Sequence, residues 1–215
     1  MKDPTSRDYP DWFTSGLASR PVMAVFRGLS PADTVALAHR AWDIGVTQVE
    51  VPIEASTALA SLKAAVAAGR DRNMRVGAGT IVSPDQLRSA IDAGAAYAVS
   101  PGLDPGLITL ADRAGIPMLP GVATASEIIR ALNMGFAWVK VFPAAQLGSA
   151  WFAAMKGPFP TTNFVGTGGM NGVNAAEFLL AGASVVGVGS AFADPAQLER
   201  LIAVLEPTVH DPNLP

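Results

Sequence analysis

Short apolar runs alternate with longer Ala/Leu-rich stretches of helical periodicity from about Pro21 to Leu205. The runs read VMAVF (22–26), TQVEVPI (47–53), RVGAGT (75–80), AYAVS (96–100), IPMLP (116–120), AWVKVF (137–142), NFVGTG (163–168) and SVVGVGS (184–190). Their β-branched content and short length predict strands, and the stretches between them predict helices. Several helices carry start signals. Ser30-Pro31, Ser83-Pro84, Asp104-Pro105 and Asp194-Pro195 each place an N-cap residue before a proline that suits the first helical turn. Stop signals match them: WDIG (42–45), IDAG (91–94), DRAG (112–115), LNMG (132–135) and LLAG (179–182) end helices on glycine before the next strand.

The unit of strand, turn, helix and glycine recurs eight times, and strands that alternate with helices pair in parallel. Eight units are what a closed (β/α)₈ TIM barrel requires, whereas an open doubly wound sheet uses fewer strands and a switch in their order. The units share structure rather than sequence identity, which separates a barrel from a solenoid. At 215 residues the chain is shorter than the ~250 typical of the fold, so short loops are expected. Residues 1–215 then make one α/β domain. Residues 1–20 are expected to add an N-terminal helix across the bottom of the barrel, and 208–215 a flexible tail.

Composition narrows the chemistry. Half the residues are hydrophobic and 15% are charged, which favours extensive burial over disorder. A net charge of −3 without a Lys/Arg cluster argues against nucleic acid as a partner. No apolar run is long enough for a membrane span, and the polar start MKDPTSRDYPDW is no signal peptide, so a cytoplasmic protein is expected. There are no cysteines, and the two histidines, His39 and His210, are expected on the surface. Catalysis falls to Lys, Asp, Glu, Thr and Ser.

Barrel strands send alternate side chains inward and outward. In TQVEVPI the apolar face of Val49, Val51 and Ile53 meets the helices, so Glu50 points inward. In AWVKVF the outward face is Val139 and Val141, so Lys140 points inward beside Trp138 and Phe142. Thr80 ends the third strand on the face of Val76 and Ala78, and Arg27 ends the first on the face of Val25. An inward Lys and an inward Glu are costly unless paired. One reading is a structural ion pair between strands. The other is catalytic, because both residues approach the C-terminal mouth where active sites of this fold lie, and desolvation of an amine favours its nucleophilic form. The last two strands add GTGGM (166–170) and GVGSAF (187–192). Glycine-rich loops at these two strand ends form the barrel's common anion site, although turns use glycine in any case.

Taken together, VFRG (25–28), VEVPI (49–53), VGAGT (76–80), SPGL (100–103), LPGVATASE (119–127), VKVFPA (139–144), GPFP (157–160), GTGG (166–169) and GVGSA (187–191) resemble a known family in order and spacing. It comprises the 2-keto-3-deoxy-6-phosphogluconate (KDPG) and 4-hydroxy-2-oxoglutarate (KHG) aldolases. The 2-keto-3-deoxy-6-phosphogalactonate (KDPGal) aldolases share the Arg-Gly after strand one and the Pro-Gly-x-Ala-Thr turn. The resemblance implies a TIM-barrel class I aldolase in which Lys140 forms the Schiff base and Glu50 is the general acid/base. It implies that Thr80, Pro101 and Phe142 line the pyruvyl pocket and that Arg27 holds an anionic part of the substrate. Gly168, Gly169 and Ser190 then bind phosphate. It further implies no metal or other cofactor, a phosphorylated keto sugar acid and pyruvate as small-molecule partners, and a homotrimer. Two positions depart from the pattern. Some KDPG aldolases carry an arginine shortly after the strand-two glutamate, where this chain has Glu54, and the usual proline before TGG is Gly166.

The expected reaction is cleavage of KDPG to pyruvate and glyceraldehyde 3-phosphate, with KHG cleavage to pyruvate and glyoxylate as a second activity. KDPGal is the alternative substrate. Other phosphate-binding barrels share the two glycine loops, among them sugar-phosphate epimerases, thiamine-phosphate-synthase-like transferases and non-catalytic phosphometabolite binders. A metal epimerase would need histidine ligands at strand ends, and a pyrophosphate transferase would need clustered acidic ligands; the chain offers neither pattern.

Overall fold

A computed structural model describes residues 10–17, 20–55 and 57–205. The expected tail at 208–215, the first nine residues of the N-terminal extension and His210 lie outside the described residues.

Nine parallel strands form one sheet. In chain order they are β1 (Val22–Val25), β2 (Gln48–Pro52), β3 (Arg75–Gly79), β4 (Ala98–Val99), β5 (Met118–Leu119), β6 (Gly121–Val122), β7 (Trp138–Val141), β8 (Asn163–Thr167) and β9 (Val185–Val188). Their spatial order is β5-β4-β3-β2-β1-β9-β8-β7-β6. β5 lies within the fifth apolar run and β6 directly after it, the two separated by Pro120, which has no N–H to contribute to a ladder. The first half pairs with β4 and the second with β7, while the Pro120 carbonyl accepts from Lys140 N at 2.8 Å. The sheet therefore closes through this one strand, and the eight repeating units make a TIM-type barrel.

The helix signals act as the side chains dictate. Ser30 accepts from Asp33 N at 3.1 Å to start α2 (Pro31–Asp43), and Ser83 accepts from Gln86 N at 3.2 Å to start α4 (Pro84–Asp92). The Asp104 carboxylate takes the Leu107 N–H at 2.7 Å at the head of α5 (Pro105–Ala114), and left-handed Gly115 caps that helix. Thr124 and Glu127 form a reciprocal capping box on α6 (Ala125–Asn133). The other helices are α1 (Pro10–Leu17), α3 (Ala58–Asp71), α7 (Ala144–Leu147), α8 (Ser149–Lys156), α9 (Ala175–Leu180) and α10 (Pro195–Leu205), with a 3₁₀ turn at Ser190–Phe192.

Strand alternation divides the core in two. Val49, Val51, Val76, Ala78, Val139, Val141, Val186 and Val188 face outward into the layer shared with the helices. Met23, Tyr97, Val99, Leu119, Trp138, Val165 and Val185 fill the barrel interior together with Phe13 and Leu17 of α1. That helix closes the N-terminal end: Phe13 packs edge-on against Tyr97, and Trp138 Nε1 donates to Thr14 Oγ1 at 3.1 Å. The lower interior is thus mostly apolar, with Gln48 buried among these side chains as its polar member, and the catalytic candidates sit toward the opposite, C-terminal mouth.

Candidate active site

Glu50 and Lys140 enter the barrel on the inward faces of β2 and β7, as their strand parity requires. Both are buried, Glu50 fully and Lys140 to within 3%. Lys140 Nζ lies 3.5 Å from Glu50 Oε1 and 5.6 Å from the centre of the Phe142 ring. Neither Glu50 oxygen has a hydrogen-bond partner among the described residues. A fully buried carboxylate left with a single long ion pair is unusual, because its desolvation is poorly offset, and such groups mark functional sites.

β3 makes the room for this arrangement by giving up two inward side chains. A Cβ on Gly79 would overlap Glu50 Oε1 and lie 2.6 Å from its Cδ, and one on Gly77 would overlap the Tyr97 ring. The glycines of GAGT are thus spaces for neighbours' side chains. Tyr97 fills the lower space and donates its hydroxyl to the Val49 carbonyl at 2.8 Å. Burial, reinforced by the Glu50 charge, raises its pKa well above the ordinary 10.0, against a smaller opposing effect of a backbone hydrogen bond at Gly77.

Above the pair, a cavity of about 380 Å³ opens at the C-terminal mouth. Arg27, Thr80, Pro101, Lys140, Phe142, Gly168 and Gly169 all line it, so seven of the residues nominated from sequence share one space. Two others stand apart. Glu50 lies deeper and meets the cavity through Lys140, while Ser190 is exposed at the start of the 3₁₀ turn, next to cavity-lining Gly189. Thr80 reaches the cavity against its strand parity, because its backbone turns to φ +60°. A β-branched residue in that region carries strain of about 1–3 kcal/mol, which surrounding contacts must hold in place. One of them is Arg27, whose NH2 donates to Thr80 Oγ1 at 3.0 Å. Arg27 NH1 also pairs with Glu54 Oε2 at 3.1 Å.

The far wall is built from glycine. Gly168 and Gly169 adopt φ +91° and +78°, which other residues rarely take. A Cβ on Gly168 would press within 3.0 Å of the Phe142 ring, and one on Gly169 within 2.5 Å of Ala145 Cβ. Asn174 Nδ2 holds the Gly169 carbonyl at 3.0 Å, and Arg40 NH1 holds the Phe192 carbonyl at 2.7 Å, so both loops are pinned from outside. This wall exposes backbone rather than side chains, which is what anion binding by N–H groups needs. Thr167 and Met170 also line the cavity and were not singled out from sequence. Thr167 shares the inward parity of Val165, and its buried hydroxyl has no hydrogen-bond partner among the described residues. Among the described residues, no group of three or more His, Cys, Asp or Glu side chains could hold a metal ion, and no helix is long and apolar enough to cross a membrane.

A closed parallel barrel that buries an amine beside a carboxylate, beneath a glycine-walled mouth, has the construction of an enzyme, and its relatives make that enzyme an aldolase, a carbon–carbon lyase. Residues 14–202 match the family model for KDPG and KHG aldolase, and the chain belongs to that family. It is 34% identical over 190 residues to the KHG/KDPG aldolase of Escherichia coli (strain K12), covering 86% of this chain and 88% of that one. It is 30% identical over 192 residues to a probable 2-dehydro-3-deoxy-6-phosphogalactonate aldolase of Rhizobium meliloti (strain 1021), covering 86% and 90%. Among solved structures it is similar to the KDPG aldolase of Legionella pneumophila, which holds pyruvate captured at low pH as a covalent carbinolamine intermediate. That match has a TM-score of 0.75 and 31% identity, over 89% of this chain and 93% of the other.

Proposed function

We propose that the chain is a Schiff-base aldolase that cleaves KDPG to pyruvate and glyceraldehyde 3-phosphate, with KHG as a further substrate. The observation that carries the reading is the Lys140–Glu50 pair: a buried amine at the floor of the cavity, 3.5 Å from a carboxylate that has no hydrogen-bond partner among the described residues.

The Lys140 amine attacks the C2 ketone and forms a carbinolamine. Glu50 relays one proton from nitrogen to the ketone oxygen as the carbinolamine forms, then passes a second, supplied by solvent, to the departing hydroxyl, and loss of water leaves an iminium. Removal of the C4 hydroxyl proton, by Glu50 through a water, breaks the C3–C4 bond. The electron pair flows into the iminium and gives an enamine, and the aldehyde leaves. Protonation at C3 and hydrolysis then release pyruvate and regenerate the amine. Phe142 and Pro101 flank the pyruvyl unit, and Arg27, held by Thr80, meets the carboxylate. The backbone N–H groups of the loops at Gly168, Gly169 and Ser190 take the phosphate. Every proton moves between residues of this chain and substrate or water, so the route needs no metal.

A second substrate, KDPGal, is favoured by one feature of the site. The cation at the mouth comes from the Arg27-Gly28 step after β1, while the position after β2 holds Glu54. The two sugar acids differ at a stereocentre that Lys140 does not contact. Pyruvate release measured with KDPG, KDPGal and KHG decides between them. Borohydride reduction in the presence of pyruvate tests the mechanism by placing a covalent label on Lys140. An unlabelled lysine, or full aldolase activity in Lys140→Ala, would overturn it. We also propose a homotrimer, as the family resemblance implies, and a cytoplasmic location; sedimentation analysis tests the first and fractionation of the source cells the second.

A further inference from the structure

We propose that Glu54 is a specificity-determining residue that competes with the substrate carboxylate for Arg27, and so sets how strongly the mouth prefers anions. The proposal rests on the Schiff-base reading above and concerns how that site selects its substrate.

Arg27 is the cation of the mouth, and its guanidinium is already engaged on two sides. NH2 donates to Thr80 Oγ1 at 3.0 Å and NH1 pairs with Glu54 Oε2 at 3.1 Å. The two partners differ in kind. Thr80 is neutral and fixes direction, whereas Glu54 carries the same charge as the carboxylate that Arg27 is to receive. A keto acid entering the cavity meets Arg27 with its field partly cancelled, and its own carboxylate must share or displace Glu54. Glu54 therefore acts as a resident stand-in for the substrate's acid group.

Position makes the competition possible. Glu54 follows the end of β2 and stands four residues after Glu50, so the strand that supplies the buried carboxylate also delivers this one to the rim. The side chains of Arg27 and Glu54 are 50% and 36% exposed, respectively. An ion pair so open to water is weak enough for a ligand to break, which suits an exchangeable partner better than a structural one. The same exposure means that replacing Glu54 removes no core packing.

The experiment measures borohydride trapping as a function of pyruvate concentration in the parent protein, Glu54→Gln and Glu54→Ala, with methyl pyruvate as the uncharged control. Loss of the competing charge should lower half-saturating pyruvate about two- to fivefold in both variants. It should leave methyl pyruvate unmoved, and the difference should shrink in about 1 M salt, where screening shortens to roughly 3 Å. Unchanged or weaker pyruvate saturation in the variants would overturn the proposal, as would an equal shift for the ester. Trapping in the parent protein with no shift in the variants removes only the role of Glu54. A parent protein that takes no label at all removes the Schiff-base reading as well.

Discussion

Gly79→Ala tests the packing of the site most directly, because it adds one methyl group at a position chosen by the geometry. Gly79 is an extended strand residue without a positive φ, so alanine carries no backbone penalty there. The new Cβ would overlap Glu50 Oε1, stand 2.6 Å from Cδ and 2.8 Å from Cγ, and push a fully buried carboxylate out of its place. Overpacking of this kind costs about 1–3 kcal/mol. In a protein of this size that lowers Tm by about 2–12 °C. The displaced carboxylate would lose its contact with Lys140, so kcat for pyruvate release should fall by about 10²–10⁴, as for loss of a general acid/base. Gly77→Ala serves as the control: its Cβ meets the Tyr97 ring, so it should cost similar stability with a much smaller loss of rate. In a Glu50→Gln background, Gly79→Ala should then reduce kcat little further, since groups acting as one unit are not additive. Parent-like kcat in Gly79→Ala, or full multiplication of the two losses, would show that Gly79 does not hold Glu50 in place.

Three further outcomes follow from the same geometry. Glu50→Gln should lower kcat by about 10²–10⁴ while circular dichroism and Tm stay near the parent values, which a stopped assay for pyruvate will show. Thr167→Val replaces a buried, unpartnered hydroxyl by an isosteric methyl, so denaturant unfolding should find the ligand-free protein no less stable. Tyr97 is held neutral by burial, so its folded pKa lies above its unfolded value, and its share of stability is intact below about pH 10 and lost as pH rises beyond it. Tyr97→Phe should therefore flatten the fall in unfolding free energy above about pH 10, at the cost of about 1 kcal/mol at neutral pH for the missing bond to Val49.

The inward placement of Glu50 and Lys140 was legible because a period of two leaves little freedom once Val49, Val51, Val139 and Val141 claim the helix-facing side. The helix starts were legible for an equally local reason, since a Ser or Asp cap and the proline after it act within a few residues. The orientation of Thr80 was not, since parity points it outward and only its positive φ swings it to the cavity. Nor was the break at Pro120, which depends on strands β4 and β7 arriving on either side of the fifth run. The pairing of Arg27 with Glu54 joins residues from different strand ends and leaves no periodic trace. The glycines of GAGT were visible as a motif, but their purpose is written in Glu50 and Tyr97, which come from neighbouring strands.

The eight-residue helix α1 has a consequence for catalysis although it lies at the opposite end of the barrel from the mouth. Phe13 and Leu17, with Trp138 and Tyr97, form a packed, largely apolar column beneath Glu50. Water in that column would screen the carboxylate from Lys140 and offer it solvent in place of the amine, since a charge pair weakens steeply as the local dielectric rises. The helix thus serves as electrical insulation under the catalytic pair. Variants of Phe13 or Thr14 that wet the column would be felt at the mouth, without any change in the residues that meet the substrate.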